Sequence, residues 1–205
     1  YINTGEKLQP YFSFPANLDG IKKAIVSRKN FPYRKIVVEQ LSIQYTAVTD
    51  SEKTKNNIDL LLDENTFTIC TAHQPNIFTG HLYFIYKILH TIKLTGYLSG
   101  EIEGANFVPV YYMGSEDADL EELGHVFING EKHEWGTNQT GAVGSMKVDK
   151  ALVKMIETFS GELGVYPHSE ELISLLKACY TEGSTLEQAT FKWVNELFAE
   201  FGLIV

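Results

Sequence analysis

The chain has 205 residues, of which 44% are hydrophobic and 21% charged, a balance typical of a folded globular protein. Its formal net charge of −9 argues against nucleic acid or an anionic membrane as a partner, since both attract a positive surface. The apolar runs are too short to cross a bilayer and only two cysteines occur, so we expect a cytoplasmic protein without a disulfide framework.

Residues 1–65 are predicted to form a helical segment. Asn17 or Asp19 can cap a first helix, residues 34–45 place apolar side chains at helical spacing, and Ser51 can cap a third helix. None of these helices carries a recognisable chemical motif. We therefore assign this segment a structural role.

Residues 66–205 are predicted to form a Rossmann-like α/β core. The β-branched run at residues 66–71 predicts a buried strand, a long helix is expected from about Thr79 to Leu98, and residues 107–113 predict a second strand. This order predicts two parallel strands joined by a right-handed crossover. The residues expected on the buried face of the helix are Leu82, Ile85, Leu89 and Ile92.

A small β insertion is predicted at about residues 124–148. Asn129-Gly130 lies between two short strand-like runs and is a strong hairpin signal, and residues 143–148 are expected to add a third strand. Three further helices are predicted at residues 150–159, 170–180 and 186–201. The last of them is expected to face inward through Trp193, Leu197, Phe198 and Phe201.

The two ends of the chain indicate a fragment. It begins at Tyr1 rather than Met, and Gly202 is expected to end the last helix so that residues 203–205 open another parallel strand. We therefore expect the Rossmann-like core to be truncated at its C-terminus.

The turn after the first predicted strand contains candidate binding side chains. Ligands of open α/β sheets bind at the carboxyl ends of the strands, and the N-terminus of a following helix favours an anion. Thr79 is expected either to cap this helix or to face the ligand. The alternative is a turn with only a structural role, and we favour a ligand site. Its candidate residues are His73, Gln74, Thr79, Gly80 and His81.

Three carboxylates, Glu116, Asp117 and Asp119, follow the second predicted strand. Carboxylates this close repel one another, and a bound cation would offset this repulsion. A substrate ammonium, a general base or a metal would each explain them, and the alternative is an acidic first turn of a helix. We predict no metal, because no histidine pair lies nearby at ligand spacing. The histidines expected to be structural are His125, His133 and His168.

Both segments resemble signatures of a known enzyme family. Residues 73–87 are similar to the Gly-Gln-Gln-Pro-Gly-x-x-x-Gly-Pro-Leu-Tyr-x-x-x-Lys signature of the bacillithiol synthase (BshC) family. Residues 108–119 are similar to its Pro-Val-x-Trp-x-x-x-Glu-Asp-His-Asp segment, and residues 141–146 and 197–205 also look like family landmarks. The chain has His73, Asn76, His81 and Ala118 where the family has Gln, Gly, Pro and His.

The resemblance implies an activity as well as the Rossmann-like fold. It implies a ligase for the last step of bacillithiol synthesis, which joins cysteine to glucosaminyl-malate through an amide, with ATP as the candidate activating nucleotide. It also implies a later helical coiled coil through which the full-length protein forms a homodimer. The resemblance adds Tyr83 and Lys87 to the binding site, and Asn76 and Ser115, which lie within the two segments, are further candidate binding residues.

The working hypothesis is that one segment binds an anionic group of the substrates and the other binds a cationic group. An anionic group would lie over Gly80 and His81, with Lys87 as a further charge partner, while the carboxylates would hold an ammonium and one of them would accept its proton. Two alternatives stay open. One is an enzyme like the class I nucleotidyltransferases, whose His-x-Gly-His element ends as Gly80-His81 does, acting on another small carboxylic acid. The other is a non-catalytic module that binds a nucleotide or anion. The fragment alone is expected to be inactive.

Overall fold

The computed structural model describes residues 6–48, 51–164 and 166–205, so Tyr1, on which part of the fragment prediction rests, lies outside it. A 3₁₀ turn at Glu6–Tyr11 precedes three helices, α1 (Leu18–Arg28), α2 (Arg34–Tyr45) and α3 (Glu52–Leu60). The Asn17 side chain caps α1 by accepting from the Gly20 N–H, and Ser51 caps α3 by accepting from the Thr54 N–H. The predicted helical character of this segment is confirmed.

A parallel βαβ unit follows. Strand β1 (Thr66–His73) pairs in parallel with β2 (Asn106–Met113), and helix α4 (Tyr83–Glu101) connects them. Val110 of β2 forms a further parallel bridge to Ile204, through the Tyr111 N–H to the Ile204 carbonyl (2.8 Å) and the Ile204 N–H to the Pro109 carbonyl (3.0 Å). The parallel sheet and the strand-like pairing near the last residues are thus confirmed.

The hairpin insertion is also present. After the short helix α5 (Leu120–Leu123), β3 (His125–Ile128) pairs antiparallel with β4 (Glu131–Glu134). Asn129 and Gly130 adopt φ values of 51° and 86°, the left-handed pair that a two-residue turn of this kind requires. Three helices complete the chain, α6 (Lys150–Leu163), α7 (Ser169–Cys179) and α8 (Leu186–Phe198), followed by a 3₁₀ turn at Ala199–Phe201.

The N-terminal helices and the sheet share a core. Val38, Ile58 and Leu61 pack with Val108 of β2 and with Ile204. On the other side of the sheet, Phe84 and Ile88 of α4 pack with Tyr111 and with α8, and a larger cluster joins the hairpin region to α6, α7 and α8. Within the described residues, no helix is both long and apolar enough to cross a membrane.

Several local predictions are wrong. Helix α4 begins at Tyr83 rather than at Thr79, and Thr79 does not cap it, because Thr79 lies in the preceding 3₁₀ turn with a φ of 70°. Leu82 and Leu89 are 65% and 41% exposed, whereas the buried residues of α4 are Phe84, Ile88, Thr91, Thr95 and Leu98.

Two more corrections concern the C-terminal half of the chain. Residues 143–148 do not form a strand. They contain a 3₁₀ turn at Val143–Ser145 and a single bridge from Lys147 to Thr185. Phe201 is 40% exposed rather than inward-facing, because it belongs to the 3₁₀ turn that follows α8.

Candidate functional site

His73, the last residue of β1, lies where the carboxyl ends of the two strands meet. Its backbone carbonyl accepts hydrogen bonds from the Tyr111 hydroxyl (3.0 Å) and from the Gly114 N–H (3.0 Å), which tie β1 to the end of β2. The imidazole is buried against Tyr83 and Phe84. Burial lowers the pKa of His73, which favours the neutral ring. His73 therefore shapes the floor of the crevice and presents little surface to a ligand.

The turn between β1 and α4 has an uncommon backbone. Phe78, Thr79 and Gly80 have φ values of 52°, 70° and 53°. A Cβ atom on Gly80 would lie 2.6 Å from the Cβ of Asn76, so this position accepts only glycine. Tyr180, which lies 102 positions further along the chain, supports the turn because its hydroxyl accepts a hydrogen bond from the Phe78 N–H (3.0 Å). Such strained segments recur at ligand sites, where the surrounding structure maintains them.

Asn76 is completely buried within this turn. In the described part of the chain, neither its amide nitrogen nor its amide oxygen has a hydrogen-bond partner. In this conformation Asn76 contacts no ligand directly, and its predicted binding role stays a prediction.

A hydrogen bond joins the two predicted site segments. The Gln74 amide donates to Oδ2 of Asp117 (2.8 Å), and the Asp119 N–H donates to Oδ1 of the same carboxylate (3.1 Å). The hydrogen bond from Gln74, followed by that from Asp119, lowers the pKa of Asp117 below its ordinary value. Asp117 is therefore a fixed negative charge at neutral pH.

The other acidic side chains differ in their surroundings. Asp119 Oδ1 accepts from the Glu122 N–H (3.0 Å), so Asp119 caps α5. Glu116 is exposed. Asp119 therefore has the structural role of the alternative explanation, whereas Glu116 and Asp117 precede that helix, and the functional roles of all three stay predictions.

Residues 141–146, among which no site residue was predicted, support residues 115–119, the acidic loop. The Gly144 N–H donates to the Ser115 carbonyl (3.1 Å), and the Val143 N–H donates to the Asp117 carbonyl (2.7 Å). A Cβ atom on Gly144 would lie 2.5 Å from the Ser115 carbonyl oxygen. The close approach of the two backbones explains a glycine here.

Four side chains form a ring cluster beside the turn: His81, Tyr83, His125 and Phe127. The His81 ring stacks on Tyr83 (centroids 5.7 Å apart) and, less closely, on Phe127 (6.3 Å). His125 meets His81 edge to face at 5.6 Å. The hairpin brings His125 and Phe127 to this position, and the sequence, which marked His125 as structural, held no local signal for the contact.

The remaining predicted residues lie around these groups. The Lys87 ammonium donates to the Ala72 carbonyl at the end of β1, and the Thr79 hydroxyl donates to the Phe78 carbonyl. Ser115 borders a cavity of about 480 Å³ that is also lined by Tyr112, Met113 and Val205. The larger cavity, about 570 Å³, is apolar and lies at the other end of β1, away from the acidic loop.

The arrangement combines negative charge with imidazole and aromatic groups. Asp117 and Glu116 suit an ammonium, and the ring cluster offers imidazole nitrogens and partly exposed aromatic faces. Among the described residues, no group of three or more His, Cys, Asp or Glu side chains is placed to hold a metal ion.

These features define an α/β domain of the Rossmann-like class, with its candidate site at the carboxyl ends of two parallel strands. The family model described as "Bacillithiol biosynthesis BshC, N-terminal Rossmann-like domain" matches residues 1–205. The chain therefore belongs to the BshC family, as the resemblance of its two signatures predicted.

Curated relatives agree with this assignment. The chain is 39% identical over 209 residues to a protein of Flavobacterium psychrophilum and 37% identical over 208 residues to one of Flavobacterium johnsoniae. It is 25% identical over 213 residues to a protein of Bacillus cytotoxicus. All three bear the name "Putative cysteine ligase BshC", and each match covers 100% of this chain and 39% of the relative. The chain thus spans about two fifths of the length of these relatives.

Proposed function

We propose that the complete protein is a ligase of bacillithiol biosynthesis that joins the carboxyl group of cysteine to the amine of glucosaminyl-malate. The relatives' name and the family description support this reaction class. The observation that carries the proposal is the Gln74–Asp117 hydrogen bond, which holds an ionised carboxylate between the ends of β1 and β2. An amine substrate arrives as an ammonium at neutral pH, and a fixed carboxylate attracts and orients it.

Amide formation also needs an activated carboxyl group, and we propose a nucleoside triphosphate such as ATP as its source. The activated carboxyl and its phosphate would lie near Gly80 and the start of α4. Among the described side chains, none caps this helix with a hydrogen bond. The Phe84 N–H donates to the His81 carbonyl (3.0 Å), and the remaining free N–H groups of the first turn favour an anion. His81 and Lys87 would add donors there. Release of AMP and pyrophosphate would indicate an acyl adenylate, whereas release of ADP and phosphate would indicate an acyl phosphate.

The proposal is tested in the complete protein with cysteine, glucosaminyl-malate and ATP, with product detected by mass spectrometry. We expect Asp117→Asn to lower the rate at least about 100-fold, because it removes the charge that orients the amine. The matched control is Asp59→Asn on α3, where an exposed carboxylate far along the chain is neutralised in the same way. Thermal unfolding should show that all three proteins are folded at the temperature of the assay.

Other outcomes favour the alternatives. A wild-type rate in Asp117→Asn would contradict the assigned role of the acidic loop. Pyrophosphate release without an amide would favour a nucleotidyltransferase acting on another carboxylic acid, and nucleotide binding without any turnover would favour a binding module. Light scattering on the complete protein tests the proposed homodimer.

A further inference from the structure

The two ring nitrogens of His125 differ in their hydrogen bonding. Its Nδ1 lies 2.9 Å from the Glu121 backbone carbonyl. A carbonyl oxygen only accepts hydrogen bonds, so Nδ1 carries the hydrogen in the neutral ring and Nε2 keeps its lone pair. No hydrogen bond from Nε2 to another residue in the described part of the chain accompanies this contact. The backbone therefore holds a basic nitrogen in a set orientation.

This imidazole lies beside the turn on which the proposed acyl group would bind. The His125 ring is partly exposed and contacts His81 and Phe127 edge to face, with centroids 5.6 and 5.5 Å apart. Glu134 lies directly opposite His125 in the hairpin, and its carboxylate is paired with the Lys132 ammonium (2.8 Å). The charged or titratable side chains on the elements around this ring are Glu121, Glu122, His81, Tyr83, Lys132 and Glu134.

The nearby carboxylates are poorly suited to accept a proton. Both oxygens of Asp117 already accept hydrogen bonds, and its pKa lies below the ordinary value. Asp119 caps α5. Glu116 is exposed, and within the described chain no hydrogen bond fixes its carboxylate. A general base must instead be oriented and have a pKa near the working pH, and imidazole is the side chain that most often meets both conditions.

We propose that His125 is the general base of the ligase reaction, a role that rests on the function proposed above. The bound ammonium first loses one proton to water. As the resulting amine nitrogen attacks the acyl carbon of the activated cysteine, the N–C bond forms, the bond from that carbon to the phosphate oxygen breaks, and the nitrogen gives up its second proton. The oxygen leaves with the electron pair. The proton lost by nitrogen passes to Nε2, and the resulting imidazolium gives it to the departing phosphate or to water. The Glu121 carbonyl stabilises the imidazolium through Nδ1–H.

Two substitutions separate this role from a structural one. His125→Asn keeps an amide N–H close to the position of Nδ1, where it can donate to the Glu121 carbonyl, but it has no basic nitrogen. His125→Ala removes both groups. We expect each variant of the complete protein to lose about 100-fold or more in rate, while added imidazole restores part of the activity of His125→Ala. The acidic limb of the wild-type pH–rate profile should disappear in both. His90→Ala on the exposed face of α4 is the control and should behave as wild type.

The outcomes are distinguishable. A wild-type rate in His125→Asn, or an unchanged pH–rate profile in His125→Ala, overturns the assignment of His125 as the base. Neither result contradicts the proposed ligase function. A wild-type protein that forms no amide contradicts the proposed function instead. In that case NMR of the complete protein labelled with ¹⁵N-histidine still tests the geometry: we expect the Nδ1–H tautomer for neutral His125, and the Nε2–H tautomer would overturn the inference.

Discussion

At the scale of single residues, the hydrogen bond from Gln74 to Asp117 connects two segments that lie 43 positions apart in the chain. Each segment follows a different strand, so the contact exists only once β1 and β2 are paired. The amide both positions the carboxylate and stabilises its charged form. A neutral donor of this kind leaves the negative charge available to a cationic substrate. A lysine or arginine in place of Gln74 would have neutralised that charge.

We predict that Gln74→Ala raises the pKa of Asp117 towards its ordinary value of 3.8, because Gln74 is the largest cause of the lowered value. The stabilisation from this ionised carboxylate is fully present above pH 3.8 and is lost as the pH falls through the lowered pKa of the folded state. The stability difference between wild type and Gln74→Ala should therefore shrink on acidification. A ¹³C-carboxyl NMR titration checks the pKa.

Gln40→Ala on the exposed side of α2 is the control for this titration and should leave Asp117 unchanged. An identical Asp117 titration in wild type and Gln74→Ala would show that the hydrogen bond does not form in solution.

At the scale of elements, the acidic loop is supported by the segment around Gly144 rather than by a strand. The N–H groups of Val143 and Gly144 bond to the carbonyls of Asp117 and Ser115. We predict that Gly144→Ala destabilises the fold by about 1–3 kcal/mol, because its Cβ would overlap the Ser115 backbone and force the two loops apart. Urea unfolding followed by tryptophan fluorescence measures this change.

The matched control is Gly136→Ala, since a Cβ there meets nothing within 4 Å. It should alter stability by less than about 0.5 kcal/mol or be slightly stabilising. Equal stability of Gly144→Ala and Gly136→Ala would contradict the close packing of the two loops. In the complete protein, Gly144→Ala should also reduce ligase activity, because it displaces Ser115 and Asp117.

The elements that local patterns specify could be predicted from the sequence. The βαβ unit follows from two β-branched runs and a long apolar helix, and the hairpin follows from Asn129-Gly130. The face of α4 could not be predicted, because its buried side includes Thr91 and Thr95. Their hydroxyls donate to backbone carbonyls one turn earlier, at 2.9 and 2.8 Å, which removes the cost of burying them.

The missed features depend on contacts between distant segments. The start of α4 is delayed by the turn at Phe78, which Tyr180 supports from 102 positions away. The composition of residues 143–148 favours a strand, yet the N–H groups of Val143 and Gly144 bond to the acidic loop, and that of Val148 bonds to the Ser184 carbonyl. In the site, the acidic residues followed from their spacing, whereas the His81–His125 contact required the hairpin to dock beside α4.

At the scale of the whole molecule, the N-terminal helices contact residues 202–205, of which Ile204 pairs with β2 where a third strand would lie. The Asn57 amide donates to the Gly202 carbonyl (2.7 Å), the Gln44 amide donates to the Val205 carbonyl (2.6 Å), and Tyr45 accepts from the Val205 N–H (2.8 Å). These contacts connect positions 145 to 161 residues apart. Because Ile204 pairs with β2, these helices indirectly support β2, the strand that leads into the acidic loop.

Thr54 tests whether this connection makes the molecule unfold as one unit. Its completely buried hydroxyl donates to the Ala199 carbonyl (3.1 Å). We predict that Thr54→Val lowers the free energy of unfolding by about 1–2 kcal/mol, through loss of a buried hydrogen bond. Fluorescence of the only two tryptophans, Trp135 and Trp193, should report the full shift although neither lies in the helical segment. Thr158→Val on the exposed surface of α6 should change stability by less than about 0.5 kcal/mol. A destabilised helical segment with an unshifted tryptophan transition would instead mean that the N-terminal helices unfold independently of the sheet.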